Sequence, residues 1–381
     1  MNQKHRFIYK LLRPLDILFT KCVFGYRFRK ASGLPENYIV LSNHATDFDP
    51  LLVCTSFKEQ MYFVASEHIA RWPVAGPLLN YLVAPIYRNK GASAASAVMD
   101  ILRHLRRGEN VCMFAEGART WDGVTGPILP STAKVVKSAG CGLVTYRIQG
   151  GYFVSPRWGG ASIRRGRIQG QPVNVYTKEQ LAAMSVEEIH AAITADLYED
   201  AYARQLEDPT PYRSRKGAEQ LEKLLFICPE CGQMDCFHSA KDTVTCGSCG
   251  LEFRYDAYGM LQGAPFSTVK ELAQWQNRKI LDDIAAGTVY TAANGTLYAV
   301  QKHDQTLLTQ GPISMSTDCL KCGDFEIPLK EINDLNIHGR KGLVFTANRQ
   351  YYELIPDPGC NALKFHLYFH GCKESLKEKV G

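Results

Sequence analysis

Between residues 38 and 148, short apolar runs alternate with stretches whose apolar positions recur at helical spacing. Tyr38–Ser42 (YIVLS) and residues 61–65, 84–87, 111–114 and 143–148 are runs of this kind bounded by turn-forming or charged residues, and they predict strands. Residues 92–107 keep a helical period up to Gly108, a residue suited to closing a helix. Ser185 and Glu188 form a capping-box pattern that predicts a helix over 186–204. Strands separated by helices predict an α/β domain, a mixed sheet flanked by helices, over 31–207.

The segment before that domain has a different pattern. Phe7, Ile8, Leu11, Leu12, Leu15, Leu18 and Phe19 fall at helical spacing, with Lys10, Arg13 and Lys21 between and beyond them. A basic amphipathic helix of this kind can lie in a lipid headgroup layer, or pack on its own domain. Residues 1–30 are therefore expected to be a membrane-interface segment. No apolar stretch is long enough to span a bilayer. After 207 the pattern breaks at Asp208, Pro209, Thr210 and Pro211, a helix stop with turn chemistry. Residues 216–225 and 266–286 read as helical, the second a connector. Residues 287–381 read as short strands and turns ending in a helix over 362–379.

Composition changes this picture in two places. At 45% hydrophobic and 22% charged, the 381-residue chain is ordinary globular protein. Its charge is uneven: residues 1–173 hold 23 Lys+Arg against 10 Asp+Glu, a net of +13, so the remainder of the +6 chain carries −7. The basic half suits anionic phospholipid, a phosphorylated substrate or nucleic acid. The thirteen cysteines are not spread as a disulfide framework would be, and no secretory leader pattern opens the chain. Reduced thiols in a cytoplasmic compartment are expected.

The stretch Ser42, Asn43, His44, Ala45, Thr46, Asp47, Phe48, Asp49, Pro50 follows a predicted strand, and Pro50 could start a helix. Asp49 is then expected at the N-cap, held by the free N–H groups of the helix. A fixed carboxylate can set the tautomer of His44 and leave its other nitrogen free as a base. A second stretch, Phe114, Ala115, Glu116, Gly117, Ala118, Arg119, Thr120, also follows a strand. It combines a glycine for a tight turn with a guanidinium that can grip phosphate, and Glu116 could orient that Arg or bond a substrate hydroxyl. Tyr87, Arg88, Asn89 and Lys90 place two more cations at a strand end.

Taken in order, NHATDFD, APIYRN and FAEGART resemble the motifs of the glycerolipid (lysophosphatidate) acyltransferase family. The family writes the first as NHxxxxD and the third as FPEGTRS. Glu67, His68 and Ile69 with Trp72 to Gly76 look like its connecting helix, and the resemblance covers about residues 10–205. Ala115 and Ala118 stand where the family usually has Pro and Thr. Residues 143–148 (LVTYRI) lack the prolines of its fourth motif. The resemblance implies that His44, held by Asp49, is the base that takes the acceptor's hydroxyl proton. It implies that Arg88, Glu116, Gly117 and Arg119 hold a glycerol phosphate. The expected reaction moves a fatty acyl group from acyl-CoA or acyl carrier protein to a lysophospholipid, most simply 1-acyl-sn-glycerol-3-phosphate, in phospholipid biosynthesis. Glycerol 3-phosphate or another lysophospholipid as acceptor, and a non-catalytic lipid-binding scaffold, are the alternatives. Because such an acceptor lives in a bilayer, peripheral membrane association is expected and a nucleic-acid partner is not.

Cys228, Cys231, Cys246 and Cys249 form C-x2-C-x14-C-x2-C, with Gly232 and Gly250 each following a second cysteine. This spacing predicts a zinc ribbon over 226–255 with a closed, structural Zn2+ site. A redox dithiol pair is the alternative, and Cys236 and His238 could substitute as ligands. Cys319 and Cys322 form one further C-x2-C, expected to have a buried or turn role, with a second metal site the alternative. The tail over 287–381 looks like a small α+β domain of pleckstrin-homology or GRAM type. The ribbon and tail are expected to meet a protein partner.

Overall fold

The computed structural model describes residues 3–66, 75–88, 95–160, 163–301 and 304–378. Glu67, His68, Ile69, Trp72, Pro73, Val74, Asn89 and Lys90 lie outside the described residues. The chain divides into two compact units, one holding most of the chain up to Ser214 and the other Arg215–Gly381.

The first unit runs α1 (Gln3–Phe24), β1 (Arg27–Phe28), β2 (Tyr38–Ser42), α2 (Asp49–Ser56), β3 (Met61–Ser66), α3 (Ala75–Leu82), β4 (Ile86–Arg88), α4 (Ala95–Arg106) and β5 (Asn110–Phe114). It continues with α5 (Pro130–Ala139), β6 (Gly142–Gln149), α6 (Gly151–Val154), β7 (Gln169–Tyr176), α7 (Lys178–Ala183), α8 (Val186–Leu197) and α9 (Ala201–Glu207). Its strands form one sheet in the order β1-β7-β6-β2-β5-β3-β4. The β2–β5, β2–β6, β3–β5 and β3–β4 pairs are parallel, and β6–β7 is antiparallel, so the sheet is mixed. The unbroken apolar run of β2 suits a central parallel strand covered on both faces, and every residue of β2 is buried. Ile39, Leu41, Val111 and Leu143 pack with Ile101 and Leu105 of α4, Val136 of α5 and Ile193 of α8.

The capping box of α8 forms, with Ser185 accepting from the Glu188 N–H and the Glu188 side chain from the Ser185 N–H. The expected helix over 186–204 is nevertheless two helices. Asp200 accepts from the N–H groups of Tyr202 and Ala203 and so starts α9 as a new element.

α1 lies with its polar side toward the domain. The Tyr9 hydroxyl donates to the carbonyls of Cys54 and Phe57, each at 2.9 Å, and Arg13 Nη2 donates to the Thr55 carbonyl at 2.7 Å. These carbonyls belong to the last turn of α2 and the residue after it, where a cation and donors are favoured. The apolar residues Phe7, Leu11, Leu15 and Leu18 therefore point outward, each more than 60% exposed. No helix among the described residues is long and apolar enough to cross a membrane.

The second unit holds β8 (Phe237–Ala240), β9 (Thr243–Cys246), β10 (Glu252–Tyr255) and β11 (Leu261–Gln262) in one small antiparallel sheet. It then runs α10 (Val269–Ala285), β12 (Tyr290–Gln301), β13 (Asp304–Met315), β14 (Cys319–Cys322), β15 (Phe325–Pro328), β16 (Ile332–His338), β17 (Gly342–Ala347), β18 (Gln350–Pro356) and α11 (Ala362–Glu378). The seven later strands pair antiparallel in the order β15-β14-β13-β12-β18-β17-β16. The helix expected over 216–225 is absent; only a single 3-10 turn, Leu221–Lys223, forms there. The chain's polar groups go elsewhere: the Ala218 N–H donates to the Lys241 carbonyl, and Gln276 of α10 takes the N–H groups of Phe226 and Ile227.

Candidate functional site

β2 and β5 run parallel in a register that sets Ser42 beside Phe114. Both strands end at the same edge, and the two segments that follow continue side by side. The 72-residue spacing from His44 to Glu116 is the offset of this strand pair, carried two residues past its end. The backbone N–H of His44 donates to Glu116 Oε1 at 2.6 Å, and the Thr120 N–H donates to the His44 carbonyl at 3.0 Å. The His44 ring stacks on Phe114, centroids 4.2 Å apart. Asn43 fixes the loop on its other flank, exchanging two 2.8 Å hydrogen bonds with the backbone of Ile148 on β6.

Asp49 is fully buried. Its Oδ2 accepts from His44 Nδ1 at 2.8 Å, the Ala45 N–H at 2.7 Å and the Thr46 N–H at 3.0 Å, and Oδ1 accepts from Thr46 Oγ1 at 2.6 Å. The residue is not the N-cap of α2. That position belongs to Phe48, and Asp49 opens the helix with Pro50 behind it. Its carboxylate turns back onto the preceding loop, whose N–H groups form the anion nest that the helix was expected to supply. A carboxylate that accepts from Nδ1 leaves His44 Nε2 as the available lone pair. The His44 side chain remains 20% exposed.

Glu116 does not face outward with Arg119. Oε1 takes the His44 N–H and Oε2 takes the Gly126 N–H at 2.7 Å, so both oxygens brace backbone. Burial pushes its carboxyl up to about 8, while the Gly126 and His44 N–H groups pull it down. Parallel pairing brings the His44 loop within 3 Å of Glu116, so its carboxylate also holds that loop in place.

The cations gather round the same turn. Gly117 has φ +71°, and a Cβ there would meet Arg88 Nη1 at 3.3 Å, so glycine supplies both the turn and the space for Arg88. Arg88 Nε is buried with no hydrogen-bond partner. Arg119 Nε lies 3.1 Å from Asp47, a carboxylate that is 73% exposed. Arg157, which carries no motif in the sequence, donates from Nη1 to the Arg119 carbonyl at 2.8 Å and stacks on Trp121, 4.3 Å from the ring centre. Burial, then the like charge of Arg119, pulls Arg157 down to about 9, with Asp47 opposing.

The second unit contains one cluster suited to a metal. The sulfurs of Cys228, Cys231, Cys246 and Cys249 all lie within 4.8 Å of one another, and no other cluster of metal-binding side chains occurs among the described residues. Cys228 and Cys249 are 3.7 Å apart, and Cys231 and Cys246 3.9 Å. Four Zn–S bonds of about 2.3 Å in a tetrahedron require about 3.8 Å between sulfurs, so the cluster can hold a metal ion. The two turns are alike: the Gly232 N–H donates to the Cys228 carbonyl and the Gly250 N–H to the Cys246 carbonyl, with φ +69° and +79° at the glycines. Cys236 lies 3.5 Å from Cys246 but is not in the four-sulfur group. Cys319 and Cys322 sit on one strand, with Cys322 buried.

Compared with known proteins, residues 26–149 match the family model Acyltransferase. No curated protein matches the chain. Among solved structures, the 1-acyl-sn-glycerophosphate (LPA) acyltransferase PlsC from Thermotoga maritima is similar, with 16% identity and a TM-score of 0.45, over 55% of this chain and 84% of that one.

Proposed function

Residues 26–149 form a domain of the acyltransferase family, and from that premise we propose that the protein moves a fatty acyl group from a thioester to the hydroxyl of a lysophospholipid. The observation that carries this reading is the Asp49–His44 pair, with Nε2 free, at the rim of a loop ringed by guanidinium groups. His44 Nε2 takes the hydroxyl proton as the oxygen attacks the thioester carbonyl. The C–S bond breaks, an ester forms, and the imidazolium returns its proton to the departing thiolate. Asp49 fixes the ring and stabilises its cationic form. Arg88 and Arg119 hold the acceptor's phosphate, for which a monoacylglycerol phosphate is the simplest fit, with glycerol 3-phosphate the nearest alternative. Acyl-CoA and acyl carrier protein both suit the donor role.

The outward apolar face of α1 and its basic residues suit a cytoplasmic protein that rests on an anionic bilayer, where such an acceptor resides. The four-thiolate cluster suits structural Zn2+. The antiparallel sheet of β12 to β18, with α11 following it, suits a PH- or GRAM-like module. A non-catalytic scaffold would have no need of a base held this way.

The test is acyl transfer by the purified chain and by His44→Ala, assayed with lysophosphatidate and both donors. His44→Ala is expected to lose about a hundredfold or more in kcat with an unchanged unfolding midpoint. A folded His44→Ala protein with undiminished turnover refutes the assignment.

A further inference from the structure

We propose that Arg157 is a third guanidinium of the substrate site, completing with Arg88 and Arg119 a cradle for a phosphate monoester. This rests on the acyl-transfer reading for its substrate but on geometry for its existence. Arg157 is 9% exposed, and no carboxylate forms an ion pair with it among the described residues. Its Nη1 is bound to the carbonyl of Arg119, which fixes its head beside that residue, and its Cζ lies over the Trp121 ring. A buried guanidinium is costly without an anion, and a second one beside it adds to the cost.

The surroundings do not supply that anion. Glu116, three residues before Arg119, is turned inward onto two backbone N–H groups. Asp47 pairs with Arg119 from a largely solvated position, where screening leaves an ion pair weak. On the other side of the turn, Arg88 lies against Gly117 with a buried N–H that has no acceptor. Arg88 at Gly117, Arg119 itself and Arg157 on the Arg119 carbonyl thus bring three guanidinium groups to residues 117–119. A dianionic monoester, with three oxygens to share, matches such a set better than a singly charged diester. The lowered pKa of Arg157 agrees with a cation waiting for its counter-charge. The monoester can belong to the acceptor or, where the donor is acyl-CoA, to the nucleotide end of that donor.

The experiment measures binding apart from turnover. Glycerol 3-phosphate, inorganic phosphate and uncharged glycerol are titrated into the wild-type chain, His44→Ala, Arg157→Gln and Arg157→Lys, with calorimetry and the unfolding midpoint as readouts. Glycerol 3-phosphate and phosphate are expected to bind and stabilise wild type and His44→Ala alike, glycerol neither. Arg157→Gln is expected to weaken phosphate binding by about tenfold or more, and Arg157→Lys, which keeps charge and fold, by less. In the kinetic arm, KM for lysophosphatidate should rise in Arg157→Gln more than kcat falls. A rise in KM for acyl-CoA, and none for acyl carrier protein, would assign the monoester to the donor. Wild-type affinity in a folded Arg157→Lys and Arg157→Gln, with only a lower unfolding midpoint, overturns the proposal. Should the chain prove inert toward every acceptor while phosphate binding still depends on Arg157, the acyl-transfer reading falls and this one stands.

Discussion

At the scale of single residues, the site depends on two carboxylates used in opposite ways. Asp49 accepts four hydrogen bonds, one of them from His44. An amide in its place has one acceptor oxygen and presents an NH2 to the remaining donors. Asp49→Asn is therefore predicted to lower kcat by about a hundredfold or more, with the acceptor KM little changed, in steady-state assays. Glu116 braces the loop without touching the imidazole, so its loss should be felt first as stability. Glu116→Gln satisfies only one of the His44 and Gly126 N–H groups and is predicted to cost about 1–3 kcal/mol in urea unfolding, with a smaller fall in kcat than Asp49→Asn gives. An unchanged unfolding curve would show that the brace is dispensable. The presence of His44, Asp49 and Arg119 was legible from local strings. The inward turn of Glu116 was not, since it follows from a strand register joining residues 72 apart. Arg157 was invisible for the same reason: its partners Arg119 and Trp121 are about forty residues away, and nothing in its own neighbourhood marks it.

At the scale of elements, α1 shows how periodicity can be right about a helix and silent about its facing. The apolar positions are where an amphipathic helix needs them, yet its docking contacts are Tyr9 and Arg13 on the carbonyls of α2. A vesicle-sedimentation assay with anionic lipid should recover the wild-type chain, and Leu11→Glu with Leu15→Glu should abolish most of that recovery while the fold survives. Asp16 lies on the docked side with both carboxylate oxygens buried and without partners, and burial raises its pKa to about 7 against the pull of Arg13. A carboxyl whose folded pKa exceeds its unfolded one destabilises the fold as it ionises, from about pH 4 up to about pH 7. Asp16→Asn should thus leave the unfolding midpoint near wild type at pH 4 and raise it at pH 8. An equal shift at both pH values would mean that the gain is packing, not charge. Residues 216–225 mark the reverse failure, where Leu221, Leu224 and Leu225 mimic a helical face. The backbone is instead claimed by Lys241 and Gln276, which lie beyond any local window.

At the scale of the whole molecule, the second unit is organised from its cysteine cluster outward. Gln276 of α10 holds the entry to the first cysteine turn through Leu224, Phe226 and Ile227. Lys364 of α11, almost fully buried, pairs with Asp235 inside the cluster's own loop and donates to the Thr291 carbonyl of β12. The Asn361 N–H donates to the same aspartate, and Asn361 Nδ2 to the Glu222 carbonyl. The cysteine spacing was readable because each turn is local. The seven-strand order was not, because β12 pairs with both β13 and the distant β18. A metal at the centre of these contacts should act on the whole unit, because binding free energy at a four-thiolate site is also folding free energy. The purified chain is predicted to carry one zinc per molecule. Cys228→Ser with Cys231→Ser should remove that zinc and lower the unfolding midpoint by about 10 °C or more, since the buried Lys364 then loses the loop that presents its partner Asp235. Stripping wild-type protein with a strong chelator should give the same midpoint, and added zinc should restore it. Full zinc content in the double variant would refute the four-cysteine site. Zinc lost with no change in midpoint would show that the ribbon's strands and its contacts with α10 and α11 suffice without the ion.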